Sequence, residues 1–213
     1  MGRRPRRRPW LAAAVAAVAV PFVLPSLAPA TVEEQRQRLP PPATCTDPVE
    51  GVWMSHAYYP RYRDWYIFTM EVRRASAGSP VLTGQILAHS WVGTARESAP
   101  PACAPGRDRW EVLMPARGRL LPDGTILFGG VSWRTTAIHC GSGPVSYNAD
   151  QFSGRIDPAL QEFQSVDNDG GRSVNEPTVF RRVRCFEPPP VPHPVVAPPP
   201  FNPPTRRGGC ARS

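Results

Sequence analysis

Hydrophobic and polar positions alternate along short stretches of this chain, and the clearest example covers residues 65–72. One face of this stretch is continuously apolar: Tyr66, Phe68, Met70 and Val72. The opposite face is mixed: Trp65, Ile67, Thr69 and Glu71. A period of two with aromatic and β-branched residues is typical of a strand that buries one face. The stretch therefore predicts a central β-strand.

The same alternation recurs in shorter segments downstream. It predicts strands over residues 81–92, 110–121, 125–135, 151–156 and 178–186. Between the second and third of these, the sequence Leu-Pro-Asp-Gly-Thr predicts a hairpin turn, because proline presets φ and glycine accepts a positive φ. After Asp157-Pro158, residues 159–164 predict a single helical turn.

This pattern predicts an all-β fold, an antiparallel meander that closes into a small barrel, with a β-sandwich as the alternative. Closure would remove the exposed strand edges that favour aggregation. The barrel domain is predicted over residues 45–186. Residues 31–44 are predicted to be a polar, proline-rich spacer without a folded element, and residues 187–213 a proline-rich disordered tail.

The tripeptide Gly51-Val52-Trp53 stands at the beginning of the meander and is similar to the G-x-W signature of lipocalin and calycin barrels. In that superfamily the tryptophan closes the barrel bottom and packs near an arginine of the last strand. The resemblance implies this role for Arg181, Arg182 or Arg184. It also implies a cup that holds a small apolar ligand.

Residues 1–30 have the anatomy of a secretory signal peptide. An arginine-rich beginning precedes an apolar run over residues 10–24, and Ala28-Pro29-Ala30 offers a small-residue cleavage site. We therefore expect an exported protein, whether periplasmic, envelope-associated or extracellular. An uncleaved membrane anchor is the alternative, and only in that case is a membrane partner expected.

The net charge gives no support for a nucleic-acid partner. The whole chain carries a formal charge of +8, but five arginines of residues 1–30 contribute five of these charges, which leaves +3 for the remainder. The remaining arginines are interspersed with acidic residues and form no basic stripe.

Five cysteines in an exported chain predict disulfides. Four of them lie in the predicted barrel and allow three pairings, of which we favour Cys45–Cys185 with Cys103–Cys140, because the first bond would join the ends of the domain. Cys210 is left over in the tail. No C-x-x-C spacing is present, which disfavours a zinc site.

Residues 165–176 are the best candidate for a metal site. Asp167, Asp169 and Glu176 fall at the third, fifth and twelfth positions of a calcium-binding loop, with Gly170 at the sixth. Ser165 at the first position and Pro177 after the last argue against calcium, and a polar turn between two strands explains the same residues. No other cofactor is predicted.

Aromatic and arginine side chains are the candidates for ligand binding, since aromatic rings offer flat apolar faces with polar edges. The set is Trp53, Tyr58, Tyr59, Tyr62, Trp65, Trp91, Arg61 and Arg63. The alternative is that the aromatic residues simply fill the barrel. Most weight falls on residues 58–63, because a loop on a rigid scaffold is a common place for function.

The sequence therefore predicts an exported binding module for a small apolar or amphipathic ligand. The rival hypothesis is an envelope-associated interaction protein that holds a protein or envelope partner through the tail 187–213 and has no ligand pocket. An enzyme is the third hypothesis, as a hydrolase whose site carries no familiar motif. The sequence contains no G-x-S-x-G and no histidine cluster that would nominate catalytic residues.

Overall fold

The computed structural model describes residues 31–186. This part of the chain forms a short helix, α1 (Val32–Arg38), and ten strands. The strands are β1 (Gly51–Met54), β2 (Ala57–Tyr59), β3 (Asp64–Arg74), β4 (Val81–Val92), β5 (Arg109–Leu120), β6 (Ile126–Gly130), β7 (Arg134–Cys140), β8 (Gln151–Asp157), β9 (Glu162–Asn168) and β10 (Val174–Arg184). The predicted signal peptide, the tail 187–213 and Cys210 lie outside the described residues.

The strands close into an antiparallel barrel. Their order is β1–β10–β9–β8–β6–β5–β4–β3, and β3 pairs back with β1 to complete a circuit of eight strands. The two remaining strands lie outside this circuit, β2 paired with β3 and β7 paired with β5. The predicted all-β meander and its closure are confirmed, and the sandwich alternative is not what forms.

The barrel interior is filled by the apolar faces of its strands. On β3, Phe68, Met70 and Val72 are buried as the alternation predicts. They pack in one core with phenylalanines of the later strands: Phe128, Phe152, Phe163 and Phe180. Complete burial of such a side chain contributes on the order of 1.5–3 kcal/mol, so this core is the main source of stability.

One end of the barrel is closed by Trp53 and Arg182. The Arg182 guanidinium carbon lies 4.9 Å from the centre of the Trp53 ring, and both side chains are about 1% exposed. Arg182 also donates to the backbone carbonyls of Asp47 and Glu50. A buried arginine is tolerated here because carbonyl oxygens and an aromatic face replace its water. We call this the closed end.

Two disulfides join the cysteines as predicted, Cys45 to Cys185 and Cys103 to Cys140. The first links the segment before β1 to the residue after β10, and thereby fastens the two ends of the domain together. Two disulfides fit an oxidising environment, in agreement with the expected export. Among the described residues, no helix has the length and apolar character needed to cross a membrane.

The prediction that residues 31–44 form an unfolded spacer is wrong, because α1 begins after Thr31. The Thr31 hydroxyl accepts from the Glu34 amide and the Glu34 carboxylate accepts from the Thr31 amide, a capping box. The helix is held by Gln35, whose side chain donates to the Pro177 carbonyl and accepts from the Val179 amide, both at 3.0 Å. The Pro177 carbonyl and the Val179 amide belong to the part of β10 that β1 is too short to reach.

Two further expectations are corrected. Residues 159–164 do not form a helical turn: residues 158–161 make the tight turn of a hairpin and Glu162 already begins β9. The single strand predicted over residues 125–135 is two strands, because β5 is long enough to pair with β6 at one end and β7 at the other. The turn at residues 122–124 is present as predicted, with the Leu121 amide donating to the Thr125 carbonyl.

Candidate functional site at the open end of the barrel

A cavity of about 460 Å³ occupies the end of the barrel opposite Trp53, which we call the open end. It lies between the first residues of β3 and β5, the last residues of β4, and the segment that leads into β8. Its aromatic and acidic wall includes Tyr59, Asp64, Tyr66, Trp110, Tyr147 and Asp150.

Asp150 lines the cavity and interacts with a second buried carboxyl group, Asp167; we call these two groups the carboxyl pair. Asp150 precedes β8 and Asp167 lies near the end of β9, and they are 4% and 0% exposed. The two side chains interact directly, as a hydrogen-bonded pair. Tyr147 Oη donates to Asp150 Oδ2 at 2.6 Å, and the Gln151 amide donates to Asp167 Oδ1 at 3.2 Å. Asp167 Oδ2 is buried and has no hydrogen-bond partner among the described residues.

Burial changes the protonation of this pair. It raises the pKa of Asp150 well above its usual value, and the charge of Asp167 raises it further. Burial raises the pKa of Asp167 to about 6, against the lowering effect of its hydrogen bonds to Asp150 and Gln151. Near neutral pH the pair therefore holds one proton and one negative charge, as close carboxyl groups do elsewhere.

Three tyrosines surround the carboxyl pair as neutral hydroxyl groups. Burial raises the pKa of Tyr59 and of Tyr147 well above the usual value, and nearby carboxylates add to the effect. Burial raises the pKa of Tyr66 to about 12. These side chains consequently offer O–H donors at every physiological pH.

Arg172 stands at the edge of the cavity and is already paired. Its Nη1 donates to Asp64 Oδ2 at 2.9 Å and to the Tyr66 hydroxyl at 3.3 Å. Its guanidinium carbon lies 4.0 Å from the centre of the Tyr62 ring. This arginine links the turn after β2 to the β9–β10 loop and leaves the charge of the carboxyl pair uncompensated.

Four of the predicted ligand-binding residues lie in or next to this region. Tyr59 forms part of the cavity wall, and Tyr62 stacks on Arg172, which also lines it. Arg61 stacks on the outer side of the same segment, 5.5 Å from the Tyr62 ring. Arg63 has a φ of 59° and shapes the turn, where its carbonyl accepts from the Gly93 amide.

The structure places the other four outside the cavity. Trp53 belongs to the closed end. Tyr58, Trp65 and Trp91 form a separate outer aromatic cluster on the outside of the barrel. Their hydroxyl and indole groups donate to backbone carbonyls of the segment after β4: those of Gly93, Thr94 and Glu97. This segment covers the outer aromatic cluster, and so does Arg38 of α1, which stacks 4.9 Å from the Trp65 ring. The alternation alone assigns this face to solvent.

The predicted metal ligands make different contacts in the fold. Asp167 belongs to the carboxyl pair, while Asp169 Oδ1 accepts from the amides of Gly171 and Ser173 and stabilises the turn. Glu176 lies opposite Asp167 on the neighbouring strand. Residues 165–176 are thus a strand hairpin, and no group of three or more His, Cys, Asp or Glu side chains in the described part of the chain is arranged for a metal ion.

The sequence-based prediction missed Asp150, Tyr147, Arg172 and the pairing of Asp150 with Asp167. A signal for the pair exists in the sequence. Asp150 continues the period-two face of Phe152 and Ile156, and Asp167 continues that of Phe163. A charged residue in phase with an apolar face indicates a buried charge, and buried charges cluster at functional sites.

Comparison of the chain with protein-family models, with curated proteins and with solved structures gives no match. The function is therefore argued from the cavity and its chemistry.

Proposed function

We propose that this chain is an exported, lipocalin-like binding protein that holds a small amphipathic ligand in its open-end cavity. The observation that carries the proposal is the cavity itself. Its volume of about 460 Å³ lies within the range of roughly 300–1,000 Å³ typical of small-molecule sites. The closed end leaves only about 10 Å³ between Val49, Trp53 and their neighbours, so of the two ends of the barrel the open end has room for a ligand.

The lipocalin-like part of the proposal is supported by Trp53 and Arg182. The tryptophan of the G-x-W signature packs against an arginine of the last strand, the arrangement that the resemblance implies. Closing one end in this way leaves the other end for a ligand.

The character of the wall favours an amphipathic ligand over a purely apolar one. Trp110 and the ring of Tyr147 offer apolar surface, with ring centres 5.8 Å apart in an edge-to-face arrangement. Asp150 and the tyrosine hydroxyls would lose their water against an apolar molecule without a replacement partner. A ligand with a polar group at one end satisfies both surfaces.

Replacing Val92 by tryptophan tests the proposal. Val92 lines the cavity at the end of β4, so we expect Val92→Trp to fill the space and to abolish ligand binding. Val81→Trp is the matched control: it makes the same change at the other end of the same strand, at a residue that is 50% exposed. We expect it to bind as the wild type does.

The measurement is native mass spectrometry of the secreted, disulfide-bonded protein, before and after denaturation, followed by a small-molecule screen of the denatured and refolded protein. A surplus mass that disappears on denaturation and is absent only from Val92→Trp supports the proposal. A native mass equal to that of the protein chain alone, together with no binding by any molecule in the screen, would overturn the proposal.

A further inference from the structure

The carboxyl pair carries a negative charge that no cation in the described part of the chain neutralises. Arg172 is occupied by Asp64, at 2.9 Å. The other acidic side chains of the wall have their own donors: Asp108 accepts from the Ser142 amide at 3.1 Å, and Asp169 accepts from two amides of its own turn. Asp150 accepts from the Tyr147 hydroxyl and Asp167 accepts from the Gln151 amide, and the neutral Ser173 side chain also stabilises the Asp167 carboxylate.

Such a pair is costly in a protein interior. A buried charge without a counter-charge opposes folding, and proteins normally pair it or replace it. Asp167 Oδ2 shows the deficit directly, because it is fully buried and has no donor of its own among the described residues. An arrangement that opposes stability next to a cavity of ligand size points to a partner that arrives with the missing positive charge.

We propose that the cavity recognises ligands that carry a protonated amine, with Asp150 contacting the ammonium group at the cavity wall and sharing the single negative charge of the carboxyl pair with Asp167. The inference rests on the proposed function, because it names the chemical class of the ligand for the same cavity. The charge balance is simple: one ammonium group meets a pair that holds one proton and one negative charge, and no proton need be lost or gained.

The remaining wall suits the body of such a ligand. Trp110 lies edge-to-face with Tyr147 on one side and with Tyr66 on the other, at 5.8 and 5.9 Å between ring centres. Aromatic faces attract ammonium groups and pack against flat or short aliphatic groups. A primary amine on an aromatic or alkyl body of modest size would therefore place its charge at Asp150 and its body between these rings.

Affinities for matched molecules test the inference. The probes are three pairs that differ only in the head group: phenethylamine with phenethyl alcohol, tryptamine with tryptophol, and hexylamine with hexanol. We expect at least one amine to bind the secreted, disulfide-bonded protein at pH 7 about tenfold or more tightly than its alcohol in isothermal titration calorimetry. The carboxylate analogue 3-phenylpropionate should not bind.

Two variants locate the contact. Asp150→Asn keeps the shape of the side chain and should lower amine affinity about tenfold or more while leaving alcohol affinity unchanged. Asp108→Asn is the matched control, because it removes the same charge from the same wall at a carboxylate that already has an amide donor. It should lower amine affinity by less than threefold or so, the effect of a more distant charge. If Asp150→Asn does not fold, the comparison of each amine with its alcohol on the wild type decides the inference.

The outcomes separate the two proposals. If the amines bind no better than their alcohols, or if Asp108→Asn weakens amine binding as much as Asp150→Asn, the amine inference is overturned while the binding function stands. If no molecule of either kind binds and Val92→Trp leaves the native mass spectrum unchanged, the binding function itself is overturned. Amine binding that requires Asp150 and not Asp108 supports both.

Discussion

At the scale of single residues, Asp167 is a carboxyl group whose buried environment disfavours its charge. It lies inside the barrel on β9, and its second carboxylate oxygen has no hydrogen-bond partner among the described residues. Folding therefore favours its protonated form. Between pH 4 and about 6 the folded protein binds more protons at Asp167 than the unfolded chain does, so the contribution of Asp167 to the free energy of unfolding decreases as the pH rises through this range.

Asp167→Asn should therefore stabilise the protein at neutral pH. The amide carries no charge, can accept from the Gln151 amide and can donate to Asp150. We expect the variant to gain about 1–3 kcal/mol in free energy of unfolding at pH 7 and little at pH 4. Urea denaturation at both pH values measures this, with Asp169→Asn, a turn residue, as the charge control. Equal differences at the two pH values would contradict the protonation argument.

At the scale of elements, α1 shows how a polar segment without apolar periodicity becomes a fixed part of the barrel. The Gln35 side chain of α1 makes hydrogen bonds to the backbone of β10, at the Pro177 carbonyl and the Val179 amide. A second contact reinforces it: buried Glu162 accepts from Arg36 at 2.9 Å and from Arg181 at 2.7 Å. The helix is short and polar, so these contacts, and not intrinsic propensity, hold it.

Gln35→Ala should destabilise the protein by about 1–3 kcal/mol, because it leaves the Val179 amide and the Pro177 carbonyl without partners at a buried edge. The chain offers a matched control in Gln37→Ala, the same change at an exposed position of the same helix, for which we expect less than about 0.5 kcal/mol. Thermal and urea unfolding compare them. Equal losses would mean that α1 contributes through its helical structure alone.

Other elements show which strands the sequence pattern predicts and which it does not. Period-two alternation located β3, β4 and β5 because most of their inward residues are apolar. It missed β9, whose inward residues include Ser165 and Asp167 beside Phe163, so that burial there does not coincide with hydrophobicity. The carboxyl pair was not predicted for the same reason, because its buried residues are polar. The outer aromatic cluster was assigned to ligand binding because nothing local shows that the segment after β4 folds over Trp65 and Trp91.

At the scale of the whole molecule, the two disulfides constrain very different lengths of chain. Cys45 and Cys185 are 140 residues apart, whereas Cys103 and Cys140 are 37 apart. In the chain-entropy treatment the two bonds lower the entropy of the unfolded state by amounts equivalent to about 5 and 4 kcal/mol. The longer loop includes the complete barrel, so its bond acts on the whole domain.

Replacing each cysteine pair by alanine should show which of the two disulfides contributes more to stability. We expect Cys45→Ala/Cys185→Ala to lose more stability than Cys103→Ala/Cys140→Ala, by about 1 kcal/mol in equilibrium denaturation at matched pH. Both variants should be compared with the oxidised wild type and checked for retained β structure by circular dichroism. A larger loss from the Cys103–Cys140 pair would show that local packing around β7 outweighs chain entropy.

The closed end has a kinetic consequence. Because Trp53 and Arg182 fill one end of the barrel, a molecule held at the other end has to leave by the path along which it arrived, past the segment 142–148. Changes in that segment which do not alter the bound contacts would then speed or slow association and dissociation by the same factor. For the ligand that we propose, the residence time could thus be tuned over a wide range at constant affinity, because contacts at the carboxyl pair would determine the affinity and segment 142–148 the rates.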